Sequence, residues 1–469
     1  MTSKFKSWVP ALKATFIAAF CLAFSAVQAN AQSLLRDTEI EETLREFTDP
    51  ILRAGGLTPS AVDLYLVNDP SLNAFVTRGQ NIFLHSGLIL SADTPNQLKG
   101  VIAHETGHIT GGHIVRSDFG NRSAYGAILI AAGIGLAAIL AGESEAGALV
   151  LGGSQQFGTL EALSYSRVNE AAADQYAFEY MDRTGQSGKG LMEFFEKFRA
   201  QEVLSQARRY PYFRGHPLSA DRIDALREKV RDSEFTEVLD TPEEIHKHEM
   251  VQAKLRGFLN GPAEVYSRFP LSDQSKPARY ARAVANFKQA DLRNAIKEID
   301  SLIEDEPENA YFHELKAQIL YESGQGVDAI APAKRALELK PDAALLEIAL
   351  AQATLETRDS GDYEKVTELL KSALRKEPAN SYGWYLLADV YERQGETALA
   401  QYATAERFYA IGDVQSARSF AQRAQEELPR GLPQWRRASD IIVISETQLT
   451  KKKSRRRGPK PLVSLTSHR

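Results

Sequence analysis

Three of the nine histidines in this 469-residue chain, His104, His108 and His113, lie within ten residues of one another. They begin in Val101-Ile-Ala-His104-Glu105-Thr-Gly-His108, which follows the pattern H-E-x-x-H. On a helix, two histidines four apart project from one face and can share a zinc ion, while the glutamate between them lies beside the metal as a general base. A catalytic zinc needs a third protein ligand and one open position. One candidate pattern puts a histidine ten residues after the first, with glycine at seven. Gly111 fits, but the tenth position is Ile114, and His113 falls one place early. His113 is therefore expected at the helix end or behind the ligands. The other candidate is Ser164-Tyr-Ser-Arg-Val-Asn-Glu170-Ala-Ala-Ala-Asp174, an alanine-rich helical stretch with two carboxylates four apart. Glu170 would reach the metal as an oxygen ligand. Asp174, one turn on, would accept from a ligand histidine's other nitrogen and fix its tautomer. The surrounding alanines imply a closely packed helix rather than a solvated acidic face.

These groups need a scaffold, and the sequence around them mixes element types. A polar opening helix precedes strand-like Ala61 to Val67. Asn73-Ala-Phe-Val-Thr and Asn81-Ile-Phe-Leu-His85 flank Arg78-Gly79-Gln80 and read as neighbouring strands joined at a glycine turn. After Ser91 the apolar residues Leu98, Val101 and Ile102 repeat with helical spacing. An α+β domain over 32–235 is expected. A second region begins at Thr241-Pro-Glu-Glu244, a capping box with proline in the first turn. Beyond it Pro307 and Pro341 are 34 residues apart, the tetratricopeptide period, and Pro378 follows 37 later. Ala295, Ala329, Ala400 and Ala417 fall at the small-residue position of second helices, and Gly324, Gly395 and Gly412 at the turns between helices. Trp384 and Tyr391 add two consensus positions. An all-α solenoid over 241–440 is expected, presenting a concave surface that binds other proteins.

Charge and cysteine place the chain. The net charge of −5 sums three blocks: Lys4, Lys6 and Lys13 without an acid in residues 1–31, a body of 45 basic and 61 acidic residues, and eight Lys/Arg without an acid in 451–469. The acidic body excludes a general nucleic-acid binder, which needs clustered Lys/Arg against phosphates. Lys4 to Lys13, the apolar run Ala14 to Ala26 and the small-residue pattern Ala29-Asn30-Ala31 make a secretory signal peptide over 1–31, cut near Ala29 or Ala31. The only cysteine, Cys21, leaves with it, so any zinc must be held by nitrogen and oxygen. A second apolar run, Ala124 to Gly142, has spanning length, yet a single crossing would put His108 and Glu170 on opposite sides of a membrane. Residues 124–157 are read as a helical hairpin, with three roles left open: a lid on the site, a peripheral membrane contact, or packing on its own domain. The tail 451–469 is read as disordered, either solvated or contacting an anionic surface.

Asn73-Ala-Phe75, the strand ending in Ser86-Gly87-Leu88, His104-Glu-Thr-Gly-His108 and Ser166-Arg-Val-Asn-Glu170-Ala-Ala-Ala-Asp174 together resemble family forty-eight of the metallopeptidases, which includes HtpX and the CAAX prenyl endopeptidases. The likeness covers roughly 34–230. It implies a zincin-like (gluzincin) metallopeptidase fold and one zinc ion held by His104, His108 and Glu170, with Glu105 as general base and Asp174 behind the ligands. Asn73, Ala74 and Phe75 are expected on an edge strand where an extended substrate backbone pairs. Arg214-Gly-His216-Pro217 resembles a segment that follows the metal helices in one branch of the family. There His216 either stabilises the oxyanion or occupies the open metal position and holds the enzyme latent.

The expected function is zinc-dependent endopeptidase action on protein substrates, with the repeat array for docking. An export signal ahead of the domain and repeats behind it are similar to periplasmic members that act on outer-membrane proteins or their assembly machinery. That likeness alone supplies the compartment and the partner. The competing class is a chaperone or scaffold in which the array does the main work. The set His104, Glu105, His108, Glu170 and Asp174 favours the enzyme.

Overall fold

The computed structural model describes residues 33–77, 79–113, 167–204, 216 and 219–456. The expected signal peptide, the apolar hairpin 124–157 and residues 457–469 lie outside the described residues. A four-stranded sheet has the order β1 (Ser33–Leu35), β2 (Asp63–Asn68), β4 (Asn81–His85), β3 (Ala74–Thr77). β2 runs parallel to β4, while β1 and β3 are antiparallel to their neighbours. Gly79 and Gln80 both take positive φ, the tight reversal that joins β3 to β4. On one face Tyr65, Phe83 and Phe75 stack with ring centroids 4.8 Å apart. Alternate residues Leu66, Ala74, Val76, Ile82 and Leu84 enter the main core on the other.

Two boundaries differ from the sequence reading. Pro59–Ala61 is a 3₁₀ turn, so β2 starts only at Asp63. The strand expected to run to Ser86-Gly87-Leu88 stops at His85, and helix α2 (Ser86–Ser91) begins there. Ser86 Oγ and the Gly87 N–H both donate to the Asp69 carbonyl, each at 2.9 Å, and pull the chain off the strand path.

Helix α1 (Thr38–Ala54) is capped by Asp37, which accepts from the Ile40 N–H. Helix α3 (Pro95–Thr110) starts at a Thr94 cap with Pro95 in its first turn, and it is buried from Pro95 to His108 except at Asn96. It has no solvent stripe because it runs through the centre of the domain, between α1, α4 (Arg167–Arg183) and α5 (Lys189–Leu204). α6 (Ala220–Asp232) closes against α4 and α5.

Helix α7 (Pro242–Leu259) opens the second region with the capping box read from Thr241 and Glu244. After α8 (Pro262–Arg268), antiparallel pairs follow: α9 (Lys276–Lys288) with α10 (Leu292–Asp305), α11 (Ala310–Glu322) with α12 (Ile330–Leu339), α13 (Ala344–Leu355) with α14 (Tyr363–Lys376), α15 (Ser381–Arg393) with α16 (Thr397–Ala410), and α17 (Val414–Glu427) with α18 (Pro433–Arg456). Ala295, Ala329, Ala400 and Ala417 are buried where helices pack, and Gly324, Gly395 and Gly412 turn the chain with positive φ. Ala290 and Arg358, each 34 residues from Gly324, take the same left-handed turn without a glycine. The backbone period thus outlasts its sequence mark. α18 continues to Arg456, six residues into the stretch read as disordered; further back along the same helix, Ala438 and Ile441 seat it against α16 and α17. Among the described residues no helix is long and apolar enough to cross a membrane.

The array is tied to the α+β region through α1 and α7. Lys254 of α7 is 1% exposed and lies 2.6 Å from Asp37, 3.3 Å from Glu39 and 3.7 Å from Glu314 of α11. Tyr280 donates to Glu39 at 2.7 Å, Thr38 to Glu314 at 2.6 Å and Tyr311 to Glu42 at 2.7 Å.

Candidate metal centre

His104 and His108 face α4 because α3 and α4 touch at Gly107. A β-carbon there would come within 2.8 Å of the Ala173 carbonyl oxygen. This close crossing, with small residues on both sides, sets Asp174, next to Ala173, and Glu170, one turn before it along α4, against the two histidines. His104 Nε2 and His108 Nε2 are 3.1 Å apart. Glu170 lies 3.4 Å from each, through Oε2 and Oε1 respectively. His216, 112 residues from His104, places Nδ1 3.2 Å from His104 Nε2 and 3.2 Å from Glu170 Oε2. One ligand atom from each of His104, His108, Glu170 and His216 falls within 4.8 Å of the others, and all four residues are buried.

Other side chains hold these four from behind. Asp174 Oδ1 is 2.9 Å from His104 Nδ1, the contact expected for fixing its tautomer. Arg222, in the first turn of α6, grips both Asp174 oxygens at 2.6 and 2.7 Å and reaches Glu170 Oε2 at 3.1 Å. Its guanidinium lies over the Phe195 ring at 5.2 Å. His113, expected at the helix end or behind the ligands, is buried with Nδ1 2.9 Å from His108 Nδ1. Glu105 points into the cluster with neither oxygen accepting a hydrogen bond, and its Oε1 is 3.6 Å from His216 Nε2.

Electrostatics separate the groups. Burial raises the Glu105 carboxyl above its ordinary range, with His216 and His104 opposing. Burial also opposes ionisation of Glu170, but the charge of His216 and hydrogen bonds from His104 and His216 outweigh it and hold the carboxylate well below that range. Asp174 is lowered too, as Arg222 and His104 overcome its burial. For His104 burial disfavours the cation, yet Asp174 and Glu170 push it up to about 9. Burial and the neighbouring imidazoles hold His108 well below its usual value.

Two imidazoles and a carboxylate, with a third imidazole in reach, are the nitrogen and oxygen donors that suit zinc. Glu170 Oε1 and both Glu105 oxygens are buried without a hydrogen bond, so the donor set is built around a cation. The residues present therefore fit the metal.

The structure brings together every residue that the H-E-x-x-H and Glu170-to-Asp174 patterns singled out, and adds His216 as a neighbour of the same atoms. Ala74 and Phe75 open β3, the outer strand of the sheet, and Asn73 directly precedes it. The Asn73 carbonyl accepts from the His85 N–H at 3.0 Å. Arg222 was not foreseen. Two buried acids one turn apart call for a cation, but nothing local says that it comes from a helix 48 residues beyond Asp174.

Residues 35–230 match the family described as Peptidase family M48, and residues 280–344 and 355–407 match Tetratricopeptide repeat. The chain is 25% identical over 375 residues to "Beta-barrel assembly-enhancing protease" of Escherichia coli (strain K12), covering 78% of this chain and 75% of that protein. It is 23% identical over 338 residues to the protein of the same name in Yersinia pestis, covering 71% and 68%. "Metalloprotease LoiP" of Escherichia coli (strain K12) is 30% identical over 177 residues, 37% of this chain and 63% of that protein.

Proposed function

Since residues 35–230 are a peptidase family M48 domain with tetratricopeptide repeats behind it, we propose that the chain is a periplasmic zinc endopeptidase acting on unfolded or misassembled outer-membrane proteins. The observation that carries the reading is Glu105, buried among the ligand atoms of His104, His108 and Glu170 with both oxygens free to take a proton. In this proposal those three residues hold the metal. Zinc supplies Lewis acidity there, acidifying water and polarising a carbonyl. Glu105 takes the proton of the attacking water and passes it to the leaving amine, a task helped by its raised pKa. Asp174 and Arg222 keep the His104 ring and the Glu170 carboxylate in place through the cycle. The free side of β3 offers backbone groups to an extended substrate segment, which would read shape and chain direction more than side-chain identity.

His216 Nδ1 sits among the ligand atoms and completes a four-donor set. This placement supports the latent alternative over the oxyanion one: the imidazole must swing out before water and substrate enter. It also favours a second reading, in which the closed site rests while the array binds clients as a chaperone. The outer-membrane substrate, the assembly partner and the compartment rest on the relatives' names and on the expected signal peptide. Digestion of an unfolded β-barrel protein by the purified mature chain, with and without chelator and beside Glu105→Gln, tests the enzyme. Cleavage that survives chelation or the substitution refutes it.

A further inference from the structure

The two histidines of the cluster are not supported alike. His104 has its Nδ1 against a carboxylate, Asp174, at 2.9 Å. His108 has its Nδ1 against another imidazole, His113 Nδ1, also at 2.9 Å. Both rings present Nε2 to Glu170 and to each other. One hydrogen is shared between His108 Nδ1 and His113 Nδ1, and its owner decides what His108 can do. If it sits on His113, then His108 accepts it, carries its own proton on Nε2, and has no lone pair for a metal. If it sits on His108, its Nε2 lone pair points into the cluster, and His113 must be neutral with its hydrogen on Nε2.

The chain makes room for this contact. Three residues past the end of α3, His113 folds back over the helix terminus, where Gly112 turns the backbone with φ +64. Gly111 has φ −70, which any residue tolerates, so its lack of a side chain serves another purpose. A β-carbon at 111 would lie 2.5 Å from His113 Nε2 and 2.7 Å from its Cε1. The His113 ring occupies that space and is 3% exposed. The two glycines leave room for the ring to lie against His108.

We propose that His113 is a positioning residue: it accepts the His108 Nδ1–H, fixing the tautomer in which His108 Nε2 binds the metal. It does for His108 what Asp174 does for His104, with a neutral acceptor in place of a charged one. The inference rests on the cluster being a zinc site, as proposed above. Partners behind metal ligands are typically worth about 10–100-fold in metal affinity.

The test uses the mature full chain and two readouts besides activity: zinc affinity by chelator competition, and the His108 tautomer by long-range ¹H–¹⁵N correlation of ¹⁵N-histidine protein. His113→Leu, which removes the acceptor, is expected to weaken zinc binding about tenfold or more and to lose the single Nδ1–H tautomer of His108. His113→Gln, which keeps an acceptor oxygen, is expected to restore most of the affinity. Gly111→Ala, which crowds the ring without touching its chemistry, is expected to act in the same direction as His113→Leu, and it remains available if the leucine variant does not fold. Unchanged affinity and tautomer in His113→Leu overturn the inference, as does equal loss in the glutamine and leucine variants. A wild-type chain that binds no zinc would overturn the functional reading as well, whereas failure of the variants alone leaves that reading standing.

Discussion

The cluster of buried charge at the H-E-x-x-H helix and the one where the array meets the peptidase region are finished differently. At the junction, Asp37, Glu39 and Glu314 surround the ammonium of Lys254; Tyr280 donates to Glu39 Oε2 and Thr38 to Glu314 Oε1, while Glu314 Oε2 accepts no hydrogen bond and faces the ammonium at 3.7 Å. That cluster contains its own cation. At the metal centre Arg222 pairs with Asp174 and with Glu170 Oε2, while both Glu105 oxygens and Glu170 Oε1 are left without hydrogen bonds. A buried carboxylate with an internal cation holds structure together, and one without such a partner is arranged for an ion or a proton from outside.

Breaking each cluster should therefore have separate consequences. Glu105→Gln is expected to cost the most, about 10²–10⁴-fold in peptide hydrolysis, with zinc content by metal analysis and the thermal melt unchanged. An unaltered rate would remove the contrast, since Glu105 would then be one more buried acid. Lys254→Met strands three acids at the junction and is expected to destabilise the fold by about 3–5 kcal/mol in urea titration, because an uncompensated buried charge remains. Its zinc affinity should match wild type; a coupled loss would mean the clusters are one system.

Arg222→Met touches the cation that the metal centre does own. It is expected to weaken zinc binding by about 10–100-fold in chelator competition, with a smaller stability loss than Lys254→Met, since zinc can compensate Glu170. The smallest effect concerns pH. Burial, reinforced by Asp37 and Glu39 and opposed by Lys254, pushes the Glu314 carboxyl up to about 7. Between the ordinary carboxylate range and that value the folded protein holds a proton that the unfolded chain has released. This contribution is complete at low pH and is lost as pH rises through about 7. Glu314→Gln cannot lose a proton, so its stability relative to wild type should rise between pH 5 and 8 in paired urea titrations. A constant difference would show that the junction is fully compensated throughout.

How much of this could be read along the chain depended on distance. His104, Glu105 and His108 are set by the pitch of one helix, as are Glu170 and Asp174. The array was legible because its period repeats, with alanine at packing positions and glycine at turns. Where Ala290 and Arg358 stand at the turn position, the local mark is missing and the neighbouring repeats impose the left-handed bend. β1 was invisible for a similar reason: three residues become a strand only by pairing with β2, with Leu34 opposite Val67.

The sequence by itself determined that two histidines share a helical face, that a carboxylate pair lies on another helix, and that a 34-residue period follows. Hydrogen-bond geometry within one element is a function of residue spacing, which a sequence displays directly. Only the tertiary structure decided that Gly107 lets the two helices touch, that Arg222 braces Glu170 and Asp174, that His216 lies against His104 and Glu170, that His113 turns back to His108, and that Lys254 neutralises the junction. Each depends on which surfaces pack together. A buried charge reports that it needs a partner; where the partner comes from is settled by the packing of the whole chain.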